Sequence, residues 1–329
     1  MPKGWLPLFP ALLFWLSASC HGGSGSSAKV LLAADDHPLE YPTTQGLVAM
    51  NRYLTEKSGG RLSLDIFADS VLGEEKVTIE QTQLGILDIN RVNVSPVAQI
   101  SPELGVLVLP YLFRDQAHMR RVLDGEIGEE LLGSLGRYNL VGLCFYDSGA
   151  RNFYNRVRPI LKPADLVGLK IRVQESAIMV GMVKALGGSP TPMAFGEVYS
   201  SLATGVIDGA ENNWPSYEYT GHYQVAGYYS LDEHSRVPEI VLMSRRTWAR
   251  LSPEERALIK EAARASVPAQ RKLWSALEEK ARRDVEANGA RVNAIPDRRP
   301  FEEAMRPLFD QVLTDPKLRA LVERIRAVP

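Results

Sequence analysis

Apolar and polar residues alternate or recur along this chain with two periods, and the periods divide it into strands and helices. Lys29 to Ala34 is a first apolar strand. Pro42 opens a helix with Leu47, Met50 and Leu54 on one face, closed by Gly59-Gly60. Leu62, Leu64 and Ile66 alternate with Ser63 and Asp65, a second strand. The chain thus opens βαβ, which predicts an α/β domain with a parallel sheet. A helix follows Val71 to Lys76 and ends near Gly85, and Leu87 to Val94 is a strand with polar residues at its end. One helix is predicted through Met119, Val122, Leu123, Ile127 and Leu131, then a strand from Leu140 to Phe145 and a loop from Asp147 to Tyr154. Gly168 to Val173 is a short strand with Arg172 on the face opposite Ile171 and Val173. Ile178 to Leu186 is a helix, Pro190 to Phe195 an extended loop, Gly196 to Thr204 a short helix, and Val206 to Asn213 a strand with a polar end. After an apolar strand at Pro238 to Met243, Ser252-Pro253-Glu254-Glu255 starts a helix that runs to Gly289, long enough to brace two lobes. A last helical section contains Pro300-Phe301 and Pro307-Leu308-Phe309.

The 329 residues are 45% hydrophobic and 23% charged, with a formal net charge of -1. That is enough chain for two cores, and the charge gives no footprint for nucleic acid. The first residues differ from the rest. A positive start, the apolar run Leu6 to Leu16 and the small residues Ser17-Ala18-Ser19-Cys20 form a secretory signal peptide. Leu16 to Cys20 also has the outline of a loose bacterial lipobox, so soluble export and a lipid anchor on Cys20 both stay open. His21 to Ser27 is a Gly/Ser tether. The other cysteine, Cys144, lies in an apolar strand and reads as a small buried hydrophobe.

The candidate chemistry centres on Arg172. A guanidinium cannot lose its proton at ordinary pH and matches a planar carboxylate with two parallel hydrogen bonds. By itself such an arginine is as well explained by a bridge to an acid of its own chain. Arg151 is a second candidate. Arg91 and Asn93, two apart on one strand, face the same side. Asn212-Asn213 at a strand end suit hydroxyls, and Trp214 and Tyr217 beside them suit the apolar face of a sugar ring. Gly-x-Ser-x-Gly, His-Glu-x-x-His and phosphate-loop motifs are absent from the sequence.

Five stretches together carry a family resemblance: Leu72-Gly73-Glu74-Glu75, Leu109-Pro110-Tyr111, Leu166 to Val173, Pro190 to Tyr199, and Leu202 to Asn212. In this order they resemble the DctP-type solute-binding proteins of tripartite ATP-independent periplasmic (TRAP) transporters. The resemblance implies a two-lobed periplasmic α/β fold, with a ligand cleft between the lobes and a long helix spanning both. It divides the chain into residues 1–27 as leader and tether, 28–148 plus 238–277 as the first lobe, and 149–237 plus 278–329 as the second. Arg172 matches the arginine that takes the ligand carboxylate, Arg151 a second arginine near the ligand, Asn212 the asparagine after the Asp-Gly-x-Glu run, and Phe195 an aromatic of the cleft. Asn93 falls where sialic-acid binders carry an acid, which disfavours that ligand. His37, Glu74 and Arg91 are polar positions in cleft-facing segments.

His37-Pro38 near Tyr41-Pro42, Arg91 to Val94, Tyr146 to Tyr154, Glu211 to Tyr217 and Glu233 to Ser235 are similar to the hexuronate-binding members. The ligand set expected from this is His37, Glu74, Arg91, Asn93, Arg151, Tyr154, Arg172, Phe195 and Asn212. A D-glucuronate or D-galacturonate ligand, TRAP permease subunits as partners, a monomeric state, a periplasmic site of action and no cofactor or catalysis are implied. The alternatives are a C4-dicarboxylate or aldonate binder with Arg91 or Arg151 as second cation, a sensor that presents its closed form to a receptor, and an exported acidic-sugar enzyme using Glu74 and Glu211.

Overall fold

The computed structural model describes residues 28–329, so the expected leader, tether and Cys20 lie outside the described residues. Eleven strands build two sheets. The first contains β1 (Lys29–Ala34), β2 (Leu62–Phe67), β3 (Ile89–Asn93) and β4 (Leu140–Tyr146). The second contains β5 (Arg151–Asn155), β6 (Lys170–Val173), β7 (Ser189–Pro192), β8 (Gly209–Asn212) and β9 (Tyr228–Ser235). The chain then returns to the first sheet with β10 (Glu239–Ser244) and ends in the second with β11 (Arg291–Ala294). The orders are β2-β1-β3-β10-β4 and β11-β9-β5-β8-β6-β7. β1 pairs in parallel with β2 and β3, as the βαβ opening requires, while β10 runs antiparallel to β3 and β4.

Three connections join the sheets: residues 147–150, residues 236–238, and the helix Pro253–Ala287. That helix has a Ser252–Glu255 capping box and, at 35 residues, is about 50 Å long. Its first half buries Ile259, Ala262 and Ala263 in the core of the first sheet, and its second half buries Ala281 and Val285 in the core of the second. Between the halves, the Gln270 carboxamide donates to the Asp147 carbonyl (2.9 Å) and accepts from the Asp147 N–H (3.0 Å). One connection is thereby fastened to the middle of the helix.

Some elements differ from the sequence reading. The helix expected through Met119 and Leu131 is two helices, Gln116–Asp124 and Glu126–Ser134, separated at the extended Gly125. The residues read as a loop carrying Arg151 are strand β5 from Arg151 onward. β7 is a strand where an extended loop was expected, and β9 and β11 have no counterpart in the hydrophobic pattern. β9 escapes it because its buried positions include Ser230, Asp232, His234 and Ser235, which break the apolar alternation. The helix Pro316–Ala327, grouped by sequence with the second lobe, packs against the helices over 116–134: the His118 ring meets the Ile325 carbonyl (3.0 Å) and Arg324 pairs with Glu130 (2.7 Å). Cys144 is buried in β4, and burial pushes its thiol pKa up, as a hydrophobic role requires. Among the described residues no helix is long and apolar enough to cross a membrane.

Candidate functional site

A cleft between the two sheets is lined by Asp36, His37, Tyr41, Glu75, Asn93 and Glu239 from the side of the first sheet. Arg151, Arg172, Gln174, Phe195, Asn212, Asn213 and Ser216 face them from the second, and Trp274 of the long helix closes the back. Counted out to where it opens into solvent, its space is about 360 Å3. The polar lining sits at strand ends, where open α/β sheets present their ligand groups.

The three cleft-region arginines have different partners. Arg91, fully buried in the middle of β3, donates to Asp35 through Nε (2.8 Å) and to Glu239 through Nη1 (2.7 Å), and also contacts Asp36. Antiparallel pairing of β3 with β10 sets Glu239 opposite Asn93, so Arg91 and Asn93 share that carboxylate; Asn93 Nδ2 reaches it at 2.8 Å. Arg151 is paired with the fully buried Glu211, Nη2 lying 2.9 Å from Oε1. His234 extends this pair, with Nε2 3.3 Å from Glu211 and Nδ1 2.8 Å from Asp232.

Arg172 is different. It is 3% exposed, and its Nε and Nη2 both donate to the Met193 carbonyl (3.0 and 2.7 Å). Among the described residues it forms no ion pair with a carboxylate. Burial consequently outweighs the attraction of more distant Glu211 and pushes its pKa down. A buried cation satisfied only by a carbonyl favours an incoming anion.

The expected ligand residues do not all line this cleft. His37, Asn93, Arg151, Arg172, Phe195 and Asn212 do. Arg91 lies behind the lining, its charge already taken by its own acids. Tyr154 is packed between Tyr217 and Tyr229, its hydroxyl 2.8 Å from His222 Nδ1. Glu74 lies against Gly196 outside the lining, with burial raising its carboxyl pKa, while its neighbour Glu75 lines the cleft. At a helix start, adjacent acids face different ways, and one residue of register decides which one reaches the ligand space. Asn93 lines the cleft with both side-chain atoms engaged, since Oδ1 caps Ser95 N–H (2.9 Å). Asn212 Oδ1 accepts from Asn213 N–H (2.9 Å), which leaves its Nδ2 without a partner among the described residues. The sequence reading missed Gln174, Glu239 and Trp274. Trp274 was detectable as a large aromatic midway along the bracing helix.

Contacts cross the cleft directly. The Tyr41 hydroxyl lies 3.0 Å from Ser216 Oγ, and His37 stacks on Tyr41 (4.1 Å between ring centres) and tilts against Phe195 (5.3 Å). Asp35, Asp36 and His37 bring three potential ligand atoms within 4.8 Å of one another. Arg91 Nη2 contacts all three residues, so the guanidinium holds the place a metal cation would take. Glu74 and Glu211 do not stand as two free carboxylates on this cleft: Glu211 is neutralised by Arg151, and Glu74 is not among the residues that line it.

The buried charges set a pH dependence. Burial opposes the charged form of His37, but Asp36 overcomes it and the pKa rises to about 10; Asp232 and Glu211 likewise raise His234, against burial, to about 9. Stabilisation from both imidazolium ions is complete below the ordinary 6.5 and fades as pH climbs through those values. Burial, with Asp36 and Glu239 nearby, raises Glu75, which favours the fold at low pH and weakens it as the carboxyl ionises. Burial would raise Glu211, yet Arg151 and His234 lower it to about 2, so its contribution is complete above 4.5 and fades toward that lower value. The melting temperature is expected to peak between pH 4.5 and 6.5 and to fall from pH 6.5 to 9. A pH series of unfolding scans checks this, and a steady rise to pH 9 contradicts the charge assignment.

The chain is similar to known proteins in sequence and in fold. The family model of bacterial extracellular solute-binding protein, family 7 (DctP), matches residues 33–315. A solute-binding protein of Chromohalobacter salexigens is 41% identical over 291 residues, spanning 88% of this chain and 87% of its own. A TRAP periplasmic solute-binding protein from Xanthobacter autotrophicus Py2, solved with bound β-D-galacturonate, is 48% identical with a TM-score of 0.89, covering 91% of this chain and 100% of that one. One from Roseobacter denitrificans, solved with bound β-D-glucuronate, is 42% identical with a TM-score of 0.89, covering 92% and 100%. With its two mixed sheets, its cleft and its matched residues, this chain belongs to the bacterial extracellular solute-binding proteins of family 7, the DctP family of TRAP periplasmic binding proteins.

Proposed function

We propose that the protein binds a hexuronate, D-glucuronate or D-galacturonate, in this cleft and hands it unchanged to a TRAP membrane permease. The observation that carries the reading is Arg172, a buried guanidinium without a carboxylate partner among the described residues, facing a cleft whose other arginines are already paired. The hexuronate carboxylate is the missing partner. Asn212, Asn213, His37 and Glu75 supply donors and acceptors for ring hydroxyls, and Phe195 and Trp274 supply apolar faces. A C4-dicarboxylate fits less well. It needs two available cations, and Arg91 and Arg151 are both engaged by acids. Uronates bound in the similar structures from X. autotrophicus and R. denitrificans support the same class.

The mechanism is hinge closure on the ligand, with contacts to both lobes complete only in the closed state. In this reading the capture takes place in the periplasm after export, by a monomer, with the permease as partner. A thermal-shift screen of the mature domain against hexuronates, aldonates, C4-dicarboxylates and neutral hexoses tests the reading. A ligand at about 100 times its Kd adds roughly 2.7 kcal/mol to the folded state. D-glucuronate or D-galacturonate is expected to raise the melting temperature by several degrees, glucose and succinate to leave it in place, and mass spectrometry to recover the sugar acid intact. A shift with succinate alone, or conversion of the uronate, overturns the proposal.

A further inference from the structure

Gln174 follows β6 immediately and stands two residues after Arg172, on the same side of the extended chain, and both side chains line the cleft. Gln174 is only 9% exposed, and its Oε1 is shielded from solvent without a hydrogen-bond partner. A buried acceptor in that state calls for a donor. Resting on the hexuronate reading, we propose that Gln174 Oε1 accepts the ligand's 4-hydroxyl and thereby distinguishes D-glucuronate from D-galacturonate.

The argument is one of donors and neighbours. In a hexopyranuronate the carboxylate is carried on C5, whose ring neighbours are the ring oxygen and C4. With the carboxylate on Arg172, these are the groups nearest Gln174. The ionised carboxylate and the ring oxygen only accept hydrogen bonds. So does an amide oxygen. The 4-hydroxyl is therefore the nearest ligand group able to satisfy Gln174 Oε1. It is also the group at which the two sugar acids differ, equatorial in D-glucuronate and axial in D-galacturonate. A fixed acceptor beside the carboxylate anchor meets one orientation at hydrogen-bond distance and misses the other. Asn212 and Asn213 follow the Ala210 that pairs with Arg172 across β6 and β8, but their side-chain oxygens already accept from the Asn213 and Ser216 N–H groups, so neither offers the unpartnered acceptor that Gln174 does.

The test is calorimetric titration of the unaltered protein and of Gln174→Leu with D-glucuronate, D-galacturonate and 4-deoxy-D-glucuronate. The unaltered protein is expected to prefer one epimer. Gln174→Leu is expected to weaken that epimer about tenfold, the scale of one lost hydrogen bond, to bring the two epimers to near-equal affinity, and to leave the 4-deoxy acid almost unchanged. The melting temperature of the ligand-free variant is expected to match the unaltered protein, which separates recognition from folding. An equal loss for all three acids, or an epimer preference that survives the substitution, overturns the role of Gln174 while leaving the hexuronate site in place. Failure of the unaltered protein to bind any uronate removes the site itself and this inference with it.

Discussion

Replacing Arg172 by methionine is expected to weaken hexuronate binding severely without destabilising the ligand-free protein. The expected loss is roughly 2–5 kcal/mol, the range for removing one member of a buried charged pair, which is about 30-fold to several thousand-fold in Kd. The stability half of the expectation is what sets this arginine apart. In the ligand-free protein its charge is buried against a carbonyl alone, and burial already pushes its pKa down. An apolar side chain of similar length removes that desolvation cost, so the melting temperature is expected to hold or rise. Arg172→Lys is expected to lose much of the affinity too, because an ammonium cannot make two parallel bonds to a carboxylate. Titration calorimetry with unfolding scans on the same samples checks both halves. Retained affinity with a fallen melting temperature would make Arg172 a structural residue.

Arg91→Met is expected to do the reverse. Its guanidinium is fully buried and holds Asp35, Asp36 and Glu239, and losing it leaves three acids crowded together out of water. Breaking a buried pair from one side costs roughly 3–5 kcal/mol, and in a chain of this size that lowers Tm by on the order of 10 °C. Ligand affinity is expected to fall only through the displaced Asp36, His37 and Glu239 walls. Adding Asp35→Asn and Asp36→Asn is expected to restore part of the stability, since the removed groups are the ones left unpaired. A Tm within a degree or two of the unaltered protein would show that the acids find other partners.

The contrast between these two arginines marks where sequence reading stops. The helix Pro42–Ser58 and the capped long helix were legible through their buried positions and clear starts, β2 through its alternation, and β1, β3 and β4 through their apolar residues. β9 was not, since its inward residues Asp232 and His234 join a chain to Glu211 of β8 and mimic a polar loop. In the site, Arg172, Asn212, Phe195 and His37 were legible through local motifs. What no spacing reveals is which arginine already has an acid. Asp35 and Asp36 lie more than fifty residues before Arg91, Glu239 lies far after it, and only the β1–β3 and β3–β10 registers bring them together. Glu74 and Glu75 show the same limit at the scale of one residue.

The most direct measurement is a crystal structure of the mature protein with D-galacturonate or D-glucuronate. Both carboxylate oxygens are expected on the Arg172 guanidinium at about 2.7–2.9 Å, with the Arg151–Glu211 and Arg91–Asp35 pairs intact. A hexuronate bound with a neutral hydroxyl at Arg172 and its carboxylate elsewhere would contradict the central assignment.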